Sequence, residues 1–548
     1  MRSGLSGVCL NLFIALGVAL IPLGTMAQPQ NATTVIVAHD EPISASPRGD
    51  QTLRLAGPLD GPESLDPAFT RDLSTAFIVR QIFRGLTRFD DALQPVPELA
   101  SRIEISADGR EYTFTLRENA VFQDGRRITA DDVVYSLQRA LDPATAGGDA
   151  SLLAGPTFLS DIEGADQLIA GEATALTGVT AIDPSTVRIR LAAPRATFLM
   201  KLASIPASIV DRRDVERGGD WWRTPNGSGP FRVAEWSPGS QLVLAPSETY
   251  FAGPPPLQRI VLRLGASAAQ PFNLYESDQI DITGVDVSAI DRVLSPESGL
   301  SDEVTVTPLF NVDYLAFRTD VEPLSDPHIR RALFLGFPRE KIAKVTYGGY
   351  VTPAQGFIPD GMLGVSWPAR MDGYDLMAAR EEIAKSSYGS PERVPVIRIY
   401  SSGYAGAEAF RDSIQDDLGL RVEVINVEWN DYVEGLVRRQ YPAYELYWGA
   451  DYPDPESLLL VLFGTGRADN YVDYANERFN ALLAAAAAEQ DPAKRIDLYR
   501  SAQQILLDDY VVIPLYFDVS YTLAKPWVKG LTVTPLGILG LERVWLEH

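Results

Sequence analysis

Residues 447–455 read Tyr-Trp-Gly-Ala-Asp-Tyr-Pro-Asp-Pro and set one acid, Asp451, among aromatic faces and exposed backbone. A carboxylate beside Trp and Tyr suits an ammonium group, through a charge-assisted hydrogen bond and cation–π attraction. The preceding run, 443–447, alternates like a strand, and Gly449 with two prolines ends it. Asp451 is therefore expected in the loop at a strand's carboxyl end, where open α/β sheets bind ligands. The competing reading is that Asp451 simply caps the next helix.

The chain offers little for covalent chemistry. Its three histidines, His39, His328 and His548, are far apart, and its single cysteine is Cys9. A Ser-His-Asp or Cys-His site is hard to build from these. No H-E-x-x-H, C-x-x-C or P-loop spacing occurs, so no metal or cofactor is expected. Two carboxylates acting as a hydrolase pair would have to stand about 5–10 Å apart. Asp451 and Asp454 are the nearest candidates, with Pro453 between them.

The 72 acidic residues outnumber the 48 basic ones, a net charge of −24. Such a surface repels nucleic acid and anionic lipid. Arg2, an apolar run over 10–23 and small residues up to Ala27 form a secretory signal peptide over 1–27. Cys9 precedes that run, whereas a lipidated cysteine would follow it, so the exported chain is expected to be periplasmic, unlipidated and monomeric.

Secondary structure follows from periodicity. Residues 28–50 read as a tail or linker, apart from the apolar 35–38. Ile103, Ile105, the Asp108-Gly109 turn, and Tyr112, Phe114 and Leu116 predict a hairpin. Thr129 with Asp132 predicts a capped helix continuing through Leu137 and Leu141. Asn226-Gly227-Ser228-Gly229-Pro230 predicts a sharp turn into a new strand, and 272–282 a helix. From 394 to 451, strand and helix patterns alternate twice, which argues for a parallel, doubly wound sheet. Two helices, over 477–489 and from Pro492, precede a buried strand over 511–517. Trp221-Trp222, Trp367 and Trp429 read as core, though each could stack on a sugar.

Several blocks together resemble the periplasmic oligopeptide- and dipeptide-binding proteins of ABC importers, solute-binding protein family 5. They are Glu63-Ser64-Leu65-Asp66-Pro67; Ile82-Phe83-Arg84-Gly85-Leu86; residues 97–100; 108–116 with 122–125 and 129–133; 227–231; 326–332; and 448–455. The resemblance implies an α/β, bilobal periplasmic binding protein (type II) with an inserted α+β subdomain in the first lobe, closing on solute by hinge motion without catalysis. On that pattern the first lobe comprises 51–92, 226–310 and 516–548, the inserted subdomain 93–225, and the second lobe 311–515. It further implies that Asp451 pairs with a peptide's α-amino group, that Tyr447 and Trp448 offer main-chain groups, that Asn470 bonds the ligand backbone, and that Glu63, Ser64 and Leu65 approach from the other lobe. The implied partners are a peptide or similar small solute and the permease subunits of the inner membrane. An oligosaccharide or opine-like solute is the alternative on the same fold. One departure stands out: a position that is sometimes Arg in oligopeptide binders is Glu445 here, which would favour a cationic side chain or second amine. Arg398, Arg438 and Arg439 remain as candidates to hold a ligand carboxylate.

Overall fold

The structure is a computed structural model that describes residues 33–39, 43, 49–59 and 61–547. The expected leader over 1–27, Cys9, His548 and parts of the expected tail lie outside these residues. Among the described residues, no helix is long and apolar enough to cross a membrane.

Alternation at Leu53 and Leu55, both buried, makes Thr52–Ala56 the centre of a seven-stranded sheet. It pairs in parallel with Arg259–Arg263 and Ile282–Gly284. Gln241–Pro246 and Phe231–Ser237 extend one side, and Val519–Ala524 and Val304–Pro308 the other. The turn into Phe231–Ser237 needs its glycines for close approach. A Cβ on Gly227 would fall 2.1 Å from the Ile82 carbonyl oxygen, and one on Gly229 would fall 2.5 Å from that of Gln81.

A five-stranded antiparallel sheet carries the expected hairpin, with Ile103 opposite Phe114. The helix Ala130–Arg139 opens with the capping box, the Thr129 N–H donating to Asp132 at 2.8 Å, and packs Val133 and Leu137 into this subdomain's core. The tail reading is corrected here: Thr34–Val37 is an edge strand pairing antiparallel with Ala100–Ile105. Its side chains are largely exposed, so it is held by ladder hydrogen bonds rather than by burial.

The third sheet has six strands in the order Thr352–Pro353, Val512–Phe517, Asn311–Phe317, Ala443–Gly449, Ile397–Ser401, Val422–Asn426. The parallel expectation holds only for the last three. Asn311–Phe317 runs antiparallel to both of its neighbours, because it enters this sheet directly from the first one. The expected helix over 272–282 is also shorter, Pro271–Glu276, with the chain entering a left-handed conformation at Asp278 before the strand Ile282–Gly284.

The chain crosses between the first and third sheets twice, at residues 309–310 and at 518. The crossovers lie side by side. The Leu309 N–H donates to the Asp518 carbonyl at 3.0 Å, and the Asp518 N–H donates to Asn311 Oδ1 at 2.8 Å. Asn311 Nδ2 in turn donates to Asp518 Oδ2 at 3.2 Å. These paired crossings form the hinge of a bilobal molecule.

Candidate ligand site between the lobes

The strand Ala443–Gly449 ends at the hinge edge of its sheet, and the next residue is tied there: the Ala450 N–H donates to the Phe310 carbonyl at 2.7 Å. Asp451 follows, its side chain open to water. Helix capping falls instead to Asp454, whose Oδ1 accepts from the Glu456 N–H at 3.0 Å at the start of Glu456–Phe463. Asp451 thus has no structural task that accounts for it.

Protein nevertheless surrounds Asp451 on its other sides. That low-dielectric setting, with the nearby Asp469, pushes its carboxyl up to about 7, while Lys201 pulls it down. Lys201 belongs to the first lobe's side of the gap, on Phe198–Lys201. Its Nζ lies 2.6 Å from Glu456 and 2.8 Å from Asp161. Burial alone would lower the ammonium's pKa, but these two carboxylates outweigh it and hold it raised. Thr197 Oγ1 donates to the same Glu456 at 3.2 Å. Burial raises Asp469, while the hydrogen bond from the Tyr471 hydroxyl at 2.9 Å and, more weakly, the charge of Arg71 draw it back.

The remaining expected site residues divide. Tyr447 is half-buried, its hydroxyl accepting from Asn311 Nδ2 at 3.0 Å. Trp448 is half-buried, and its Nε1–H is buried with no hydrogen-bond acceptor. Glu63 is exposed and Ser64 half-buried, its Oγ accepting from the Asp66 N–H at 3.0 Å. Leu65 has its side chain fully buried in the first lobe's core, leaving only backbone to present. Asn470 is engaged locally. Its Nδ2 donates to the carbonyls of Gly464 and Tyr474, and its Oδ1 accepts from the Tyr474 N–H at 3.0 Å, so closing that loop consumes the side chain.

Most residues on which the alternatives drew are committed elsewhere. Asp454 is fully buried and ion-paired to Arg495 at 2.7 Å, so it is not the free partner a two-carboxylate hydrolase needs. Trp221 and Trp367 lie in cores, which removes them as sugar platforms; Trp429, expected in a core, is 48% exposed against Tyr432. Arg398, Arg438 and Arg439 pair with Glu423, Glu434 and Asp473. A cavity of about 650 Å³ lies elsewhere, between Phe83, Arg84, the Thr87–Phe89 strand and the C-terminal segment.

Lys201, Glu456, Arg71 and Asp469 were not singled out from the sequence. A lysine inside the apolar run Phe198-Leu199-Met200-Lys201-Leu202 is the one local signal that could have found the first of them.

Two lobes joined by paired crossings, with a solvent-open carboxylate at the strand ends between them, define a solute-binding protein. The chain belongs to the bacterial extracellular solute-binding proteins, family 5 (middle), whose profile matches residues 94–470. It is similar to the dipeptide-binding protein DppE of Bacillus subtilis, 27% identical with 96% of this chain and 97% of DppE covered. It is likewise similar to the periplasmic oligopeptide-binding protein OppA of Escherichia coli, 28% identical over 94% of this chain and 95% of OppA. Among solved structures, the murein tripeptide binding protein MppA of Escherichia coli superposes with a TM-score of 0.76 at 28% identity, covering 91% of this chain and 99% of MppA.

Proposed function

We propose that this chain is the periplasmic peptide-binding component of an ABC importer, capturing a short peptide between its lobes and handing it to inner-membrane permease subunits. The observation that carries this reading is Asp451: a carboxylate with no structural partner, at a strand end beside the hinge, facing the first lobe's Lys201. The peptide α-ammonium pairs with that carboxylate. Backbone just beyond the end of that strand receives its main chain as an added strand. The unpaired Trp448 Nε1–H supplies a further donor. The protein works as a monomer, exported by its leader and left unlipidated, and releases its cargo unchanged.

Native mass spectrometry of the purified protein, before and after mild unfolding, tests the reading. A population of short peptides released on unfolding is the expected result. Release of an oligosaccharide, or hydrolysis of added peptide, would refute it.

A further inference from the structure

Every other buried carboxylate among the described residues has an arginine or lysine in ion-pair contact: Asp66 has Arg139, Glu98 has Arg84, Asp281 has Arg54, and so on through Glu456. Asp313 and Glu445 have none. They stand on one face of adjacent strands, since Asp313 pairs across with Tyr447 and Leu315 with Glu445. Asp313 is 1% exposed and Glu445 fully buried.

Their surroundings only partly satisfy them. Glu445 Oε2 accepts from the Ala407 N–H at 2.9 Å and from Ser401 Oγ at 3.1 Å, at the start of the helix Ala405–Leu418. Asp313 Oδ2 accepts from the Tyr516 hydroxyl at 3.0 Å, while its Oδ1 is buried with no donor at all. Tyr347, Tyr404, Tyr447 and Tyr516 ring the pair, and Asp518 adds a third carboxylate from the hinge crossover. Glu408, one turn into the helix, is a further acid facing Glu445. Burial, and for Asp313 its neighbour Glu445, pushes both carboxyls up.

Beside the pair the packing loosens toward the hinge crossover at 518. Tyr404, Tyr447 and Asp518 there are each half-buried, and Asn311 links the last two. Glu445 lies on the strand that ends just before Asp451, four residues short of Gly449, or about 13 Å of extended chain. Carboxylates backed by aromatic faces select ammonium or guanidinium groups.

We propose that this acid and tyrosine pocket at the hinge binds a second cationic group of the solute, a lysine- or arginine-like side chain or a second amine. The inference rests on the peptide-carrier reading and narrows its cargo to peptides with a basic group a short, fixed distance from the α-ammonium.

Calorimetric titration with alanine tetrapeptides carrying lysine or norleucine at positions two, three or four in turn tests it, norleucine keeping the alkyl chain without the charge. At one position lysine should bind at least about tenfold tighter than norleucine. That ratio should fall toward one in Asp518→Asn, and in the double variant Asp313→Asn with Glu445→Gln. The wild-type ratio decides the matter even if the double variant does not fold. Equal binding of lysine and norleucine peptides at every position would overturn the pocket and leave the peptide reading intact. A lysine preference spread evenly over positions would reflect only the chain's net negative charge and would also overturn it. Failure of the wild type to bind any of the peptides would remove the peptide reading and this inference together.

Discussion

Replacing Asp451 with asparagine should change both how tightly a peptide binds and how binding depends on pH. In the unliganded protein the carboxyl is pushed up to about 7, while a peptide α-amino group titrates at about 7.8. The contact needs both charges. The fraction of encounters with both present is roughly one half at about pH 7.4 and about 1% at pH 5, a fall of about 50-fold. Water reaches this carboxylate, and solvent screening trims its shift, so the expected loss for the wild type is about 10- to 50-fold. In Asp451→Asn, affinity at about pH 7.4 should drop roughly 10- to 100-fold, the value of a charge-assisted hydrogen bond, and the remaining binding should be flat down to about pH 5. Asp469→Asn should keep the slope but move its midpoint to lower pH, because Asp469 helps hold Asp451 up. The sign for folding is opposite. A carboxyl raised in the folded state binds more protons there than in the unfolded chain, so its contribution to stability falls as pH rises from about 4 to 7. Calorimetric titration of an alanine tripeptide at constant ionic strength from pH 5 to 8 reads the binding effect. An asparagine variant with wild-type affinity, or one whose affinity falls with acid as steeply as the wild type's, would refute the assignment.

Trp448→Phe should lower peptide affinity about fivefold with little change in the urea midpoint, since the indole N–H has no acceptor to lose in the free protein; a large stability loss with unchanged affinity would count against its ligand role. Lys201→Met leaves Glu456 buried without its cation and should destabilise the protein by about 3–5 kcal/mol in urea unfolding; a change under about 1 kcal/mol would contradict that ion pair. Gly229→Ala should lower the melting temperature clearly, because its Cβ has no room beside Gln81 and Ile82, whereas Ala at the open Gly284 should be nearly silent.

Local patterns reached far into this fold. The strand and helix alternation from Ile397–Ser401 to Ala443–Gly449 was legible because each element carries its own period and its own stop. Strand direction was not, since Asn311–Phe317 is buried on both faces and shows no alternation to mark its neighbours. Thr34–Val37 escaped for the reverse reason: short and exposed, it exists through pairing with a partner about seventy residues away. The place of Asp451 just past a strand end could be read from its neighbours, whereas the local hydrogen bonds of Asn470 could not. Whether that amide faces a ligand or its own loop depends on how 464–474 closes. The Asp313 and Glu445 pair needed the register itself, because only pairing of distant strands places two acids on one dry face.

The paired crossings at 309–310 and 518 make the second lobe a single uninterrupted stretch whose entry and exit touch. Such a stretch is portable. Residues 311–517 could be excised as one piece, or a fluorescent reporter spliced in at their shared doorway, and the rotation that accompanies capture would then be converted into a signal at the one place where both halves of the molecule are joined.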